Sequence, residues 1–194
     1  MPPYGPVTNT ASAEQRSPLL RVGWRPAHEP SATDRLLADL VTWHLGTSLE
    51  VGRRCRRCGS TRHGQPVVAD DVVHVSLSRA PGLALAAVST AGPVGVDVEP
   101  AGRADFPGFE DVAVHHQEGA PEPTRTWVRK EALLKATGWG LAVDPRRVRL
   151  DDRGVVSWEG HLPAPDRCRL EDLPLPEGYV GAVALIRPAA ARAG

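Results

Sequence analysis

One arrangement occurs twice along these 194 residues: a helix-like segment with a broad apolar side, then three or four short strand-like segments parted by glycine and proline. In the first copy, "DRLLADLVTWHLG" carries Leu36, Leu37, Leu40, Val41, Trp43 and Leu45 on one side, with Ser31 or Thr33 as its cap and Gly46 as its stop. Three strands are predicted next, in "VVHVSLS" (72–78), "LALAAVS" (83–89) and "VGVDVE" (94–99), and the Pro-Gly and Gly-Pro signals between them read as an antiparallel meander. From Ala101 to Thr124 the text turns to glycine, proline and acid, with a short helix at "FEDVAVHH". Thr124 then opens a second helix closed by Gly138, followed by strands in "RVRLDD", "GVVSWEG", "RCRLEDL" and "YVGAVALI". A repeated helix-plus-strands pattern implies an α+β fold of two similar, pseudo-twofold-related halves, residues 1–100 and 101–194, each a helix on a small, mostly antiparallel sheet. The expectation is that the two helices pack together and leave a cleft between the halves. Residues 1 to about 30, rich in Pro, Ser and Arg, read as an extended arm.

The bulk properties narrow the function classes. With 41% hydrophobic residues the chain has enough apolar material for one sizeable core or two small ones. No run approaches the roughly 18 apolar residues of a membrane helix, and the opening MPPYGPVTNT has neither the basic region nor the apolar stretch of a signal peptide, so a cytoplasmic protein with no membrane partner is expected. The formal net charge is zero, which gives no global field toward nucleic acid. Any anion has to be held locally.

The second helix supplies a place for that. Trp127, Glu131 and Lys135 in "WVRKEALLK" climb one stripe at about 100° per residue, flanked by Val128, Ala132 and Leu134, so the charges sit inside the apolar side. An exposed Glu-to-Lys pair four apart contributes only ~0.2–0.5 kcal/mol, and a solvated helix carries it opposite the apolar stripe. Of the 23 basic residues only two are lysine, Lys130 and Lys135, and both fall in this segment. An ammonium is a compact point charge whose pKa can shift, which guanidinium does not offer.

A complementary pair of acids lies upstream. In "GVDVEP", Asp97 and Glu99 share one face of a strand while Val96 and Val98 face the other. Two carboxylates on one face repel, and a divalent cation relieves the repulsion. Magnesium fits best, because it takes hard oxygen ligands and is commonly held by a few carboxylates together with substrate phosphates. Glu131 would be the third acid.

"GVDVE" followed some thirty residues later by "WVRKEALLKATGWGL" resembles the signature pair of the 4'-phosphopantetheinyl transferase superfamily, in its longer, duplicated, surfactin-synthetase-activating type. The resemblance covers about residues 64 to 186 and includes "HGQPVV", "HVSLSRA" and the closing "YVGAVALI". It implies an enzyme that moves the 4'-phosphopantetheine arm of coenzyme A to a serine of an acyl or peptidyl carrier protein, with Mg2+, releasing 3',5'-ADP. It also implies a monomer with coenzyme A and magnesium between two halves. Carried over by position, Asp97, Glu99 and Glu131 correspond to the metal acids, and Glu131 also to the base for the serine hydroxyl. Lys135 corresponds to the lysine at the diphosphate, Lys130 and Ser78 to phosphate contacts, and a Gln65-Pro66 turn to the adenine nucleotide site; Glu118 is a weaker match to a further acid. Where many members have histidine this chain has Arg79, which can hold a phosphate bidentately. The short arm does not reproduce the family's basic contacts, for which Arg16, Arg21, Arg25 or Arg35 stand as substitutes. The alternative within the resemblance is a catalytically weakened homologue that binds coenzyme A or a carrier protein without efficient turnover.

"CRRCGSTRH" adds a separate motif. Cys55, Cys58 and His63 have zinc-like spacing, with Cys168 or His74 to complete four ligands; a tight turn in a reducing compartment explains the same spacing. Zinc would make the chain an interaction module of a different class. Arginines 53, 54, 56, 57 and 62 form a basic patch, read as a solvated loop or as a dock for an acidic carrier protein rather than for nucleic acid. His115 and His116 read as surface residues and the five tryptophans as core or interface, with Trp139 a candidate for the substrate entrance.

Overall fold

The structure, a computed structural model, describes residues 19–69, 72–119, 122–160 and 162–188. Most of the predicted arm, Arg16 included, lies outside the described residues. Its last part is a strand: β1 (Leu20–Ala27) pairs antiparallel with β5 (Gly82–Ser89), which also pairs with β4 (His74–Ala80). Reading this stretch as an arm overlooked the alternation of Leu20, Val22 and Trp24. Helix α1 (Ala32–Leu45) covers one face of the β1-β5-β4 sheet through Leu36, Leu37, Leu40 and Val41, all essentially without solvent contact. Gly46 ends it in the left-handed region at φ 72°, while neither Ser31 nor Thr33 caps it, Ser31 forming no side-chain cap bond and Thr33 lying inside the helix.

The meander stops after two strands. β6 (Val94–Pro100) leaves the first sheet and pairs with β10 (Tyr179–Ile186), which pairs on its other edge with β9 (Cys168–Asp172). β6 still runs beside β4, but hydroxyls replace the ladder between them: Val96 N–H donates to Ser76 Oγ at 3.1 Å and Val98 N–H to Ser78 Oγ at 3.3 Å. These caps satisfy amide groups that burial would otherwise leave unpaired.

The two sheets face one another. Val22, Leu83, Leu85 and Ala87 of the first meet Val94, Val96, Val98 and Val183 of the second in one apolar layer. The helices therefore lie on the outer faces, contrary to the expectation that they pack together. The physical reason is that β5 and β10 are apolar on both faces, so each sheet has one side for a helix and one for the other sheet. Each of the two three-stranded antiparallel sheets carries one helix, in keeping with the predicted α+β class. Among the described residues there are two further antiparallel hairpins: β2 (Val51–Arg54) with β3 (Gln65–Val68), and β7 (Val148–Asp151) with β8 (Gly154–Trp158). Gln65 and Pro66 thus sit in a strand, not in a turn. Among the described residues no helix is long and apolar enough to cross a membrane.

Helix α3 (Pro123–Ala136) begins where the Glu122 carboxylate accepts from Thr124 N–H and Arg125 N–H, with Pro123 in the first turn. It packs on the outer face of the second sheet through Val128, Ala132 and Leu133, against Ala182, Ala184 and Ile186. The contact is closest at Gly95, where a Cβ would lie 1.9 Å from Ala132 O and 2.5 Å from Ala136 N. Both neighbours are backbone, so only movement of α3 makes room. Gly95→Ala is expected to cost about 3 kcal/mol or more, read as a drop in thermal or urea midpoint; an unchanged midpoint would show the helix to be more loosely seated.

Candidate active site

Three elements bring side chains to one place at the junction of the sheets. Strand alternation aims Ser78 from β4, and Asp97 from β6 on the face away from Val96 and Val98. Helix α3 contributes Glu131 and Lys135, one turn apart. Lys135 Nζ lies 2.6 Å from Asp97 Oδ1, 3.5 Å from Glu131 Oε2 and 3.3 Å from Ser78 Oγ. Ser78 Oγ donates to Asp97 Oδ1 at 2.7 Å. Residues 53 positions apart in sequence, Ser78 and Glu131, therefore meet around one ammonium, and Lys135 accounts for the charge on the apolar side of its helix.

The electrostatics are those of crowded acids. Asp97 is 3% exposed, and its Oδ2 is buried with no hydrogen-bond partner. Burial, then the charge of Asp97, pushes the Glu131 carboxyl above its ordinary range, against the pull of Lys135. Glu99, half-buried one step along β6, is pushed the same way by burial and by Asp97, with Arg103 and Lys135 opposing. An oxygen of Asp97 without a donor, beside two carboxyls raised first by burial and then by the charge of Asp97, is a feature that a hard cation relieves, so the donor chemistry suits magnesium.

Other predicted residues lie elsewhere. Lys130 is fully buried; its ammonium donates to Ala113 O and to Glu118 Oε2, both at 2.7 Å. Glu118 also accepts from His115 N–H at 2.8 Å and Leu150 N–H at 2.6 Å, so this pair joins α3 to the segment after α2 (Phe109–Ala113) and to β7. Arg79 follows Ser78 and alternation turns it outward on the side of Val75 and Leu77, exposed. Gln65 leans on the end of α3, its Oε1 2.9 Å from where a Cβ at Gly138 would lie. Of the arm arginines, Arg25 pairs with Asp39 at 2.7 Å, Arg35 with Glu29 at 2.6 Å, and Arg21 stacks 3.9 Å over the exposed ring of Trp43.

Several features escaped the sequence reading. Ser76 is a structural cap whose only signal was its place two residues before Ser78 on one strand. Trp43 is about half exposed rather than core, as is Trp139, the candidate for the substrate entrance. His115, read as a surface residue, is buried against His116 and accepts from Gln117 N–H through Nδ1; burial, then His116, lowers its pKa. It lines a cavity of 760 Å³ with His116, Glu118, Asp144, Arg146 and Glu159, away from Asp97 and Glu131.

Residues 93–184, from β6 nearly to the end of β10, match the model of the 4'-phosphopantetheinyl transferase superfamily. The matched segment holds Asp97, Glu99, Glu131 and Lys135, whereas Ser78 comes from outside it. Its similarity is to transferases of the phosphopantetheine group. Comparison with curated proteins gives no match.

Proposed function

We propose that this protein is a phosphopantetheinyl transferase of the duplicated, surfactin-synthetase-activating type, moving the 4'-phosphopantetheine arm of coenzyme A to a serine of an acyl or peptidyl carrier protein. The observation that carries the reading is the meeting of Asp97, Glu131 and Lys135, from distant parts of the chain, within a segment matching that superfamily.

Magnesium held by Asp97, Glu99 and Glu131 supplies neutralisation of diphosphate charge when bound. The chain's own residues do the rest. Lys135, on rigid α3 and already poised between two acids, shields the diphosphate and the 3',5'-ADP that leaves. Ser78, hydrogen-bonded to Asp97, fixes the direction of that carboxylate. Glu131 takes the proton of the carrier serine as its oxygen bonds to phosphorus and the diphosphate P–O bond breaks. Phosphoryl transfer asks little covalent chemistry of a protein beyond such positioning and charge offset. Arginines of the β2–β3 loop face the carrier protein, whose acidic surface they complement.

The test is direct. Purified protein, apo carrier protein, coenzyme A and magnesium are incubated and the carrier weighed. A gain of one phosphopantetheine unit is the expected result; no gain at any magnesium concentration overturns the assignment.

A further inference from the structure

The loop joining β2 to β3 carries the three groups that the transfer reaction leaves unused. Cys55 Sγ, Cys58 Sγ and a ring nitrogen of His63 all lie within 4.8 Å of one another, and Cys58 Sγ is 3.4 Å from His63 Nε2. The backbone builds this convergence. Cys55 N–H donates to Ser60 O and Cys55 O accepts from Gly59 N–H, both at 2.9 Å, and Gly59 takes the left-handed φ of 71° that so tight a turn requires. Across the loop, Gly64 at φ 105° lets His63 return beside the cysteines, because a Cβ there would lie 2.4 Å from Arg54 O.

We propose that Cys55, Cys58 and His63 bind one zinc ion, with solvent in the fourth position, and that the ion holds the arginine-bearing loop against the end of the lysine helix. Two thiolates and an imidazole are a zinc ligand set, and the two-residue gap between the cysteines is the spacing of zinc knuckles. The fourth ligand is not one of the sequence candidates: Cys168 lies on β9, its thiol directed 3.7 Å toward Ala164 O, and neither it nor His74 joins the group. Cys58 and His63 are exposed, which leaves the remaining position open to water. The consequence for the fold lies at Arg56, between the two cysteines. Its guanidinium sits 5.9 Å over the Trp139 ring, and its Nε is 2.6 Å from where a Cβ at Gly138 would lie, just past Lys135. Each thiol gives its proton to solvent as the ion binds.

The experiment uses the full chain purified under reductant. Metal analysis is expected to give about one zinc per chain, and cobalt(II) in its place the thiolate charge-transfer and intense visible bands of tetrahedral coordination. Cys58→Ser should lower bound zinc by at least about tenfold and abolish those bands, while Cys168→Ser leaves both unchanged. Trypsin cleavage after Arg56, Arg57 and Arg62 should accelerate when zinc is removed with a chelator and slow again on adding zinc. Zinc-free protein with freely titrating thiols and no cobalt bands, or equal loss in Cys168→Ser, overturns the site; cleavage indifferent to zinc overturns its role in holding the loop. None of these readouts depends on transferase activity.

Discussion

Glu131→Gln is expected to stop transfer while leaving the protein folded. Loss of a positioned base costs roughly 10²–10⁴-fold in rate, and the amide also removes one of the three acids that fit the cation. The fold should not suffer. Burial and Asp97 already disfavour the ionised form of Glu131, so a neutral side chain of the same shape removes repulsion, and Lys135 keeps its 2.6 Å contact with Asp97. The thermal midpoint should stay level or rise slightly while the carrier gains no mass. Normal turnover by this variant would take Glu131 out of the reaction; a lowered midpoint would mean that its bond to Lys135 is structural.

The largest effect on stability should come from a pair that takes no part in that chemistry. Glu118→Ala leaves the ammonium of Lys130, 0% exposed, with one carbonyl as its sole remaining partner, and strands the N–H groups of His115 and Leu150. Removing one member of a buried ion pair costs about 3–5 kcal/mol, which in a chain of this size lowers the melting temperature by roughly 10 °C. Lys130→Met should cost less, because the Glu118 carboxylate keeps two backbone donors and the thioether fills the apolar space of the lysine stem. Transfer tests the rest: if Lys130→Met retains activity, this ammonium serves the fold, and if it loses activity with an unchanged melting temperature, it reaches a phosphate.

Much of the fold was legible because local patterns carry it. The apolar sides of α1 and α3, the Gly46 and Gly138 stops and the alternation in β4, β6 and β10 all read directly. So did the acids, since a charged residue inside an apolar helix side and two carboxylates on one strand face are costly without a partner. The destination of β6 was not legible. Its pairing with β10 joins residues about 80 to 90 positions apart, and nothing local distinguishes it from pairing with β5. The destinations of the ammoniums were not legible either: Lys130 and Lys135 lie about 140° apart around one helix, but only the elements packed on its two sides send one into the interior against Glu118 and the other into the acid cluster. Residue type and spacing on this chain determined which groups have the chemistry, because propensity and periodicity act within a turn or two. Tertiary packing alone decided which of them share a site, because the face a side chain meets depends on the angle at which distant elements close on one another.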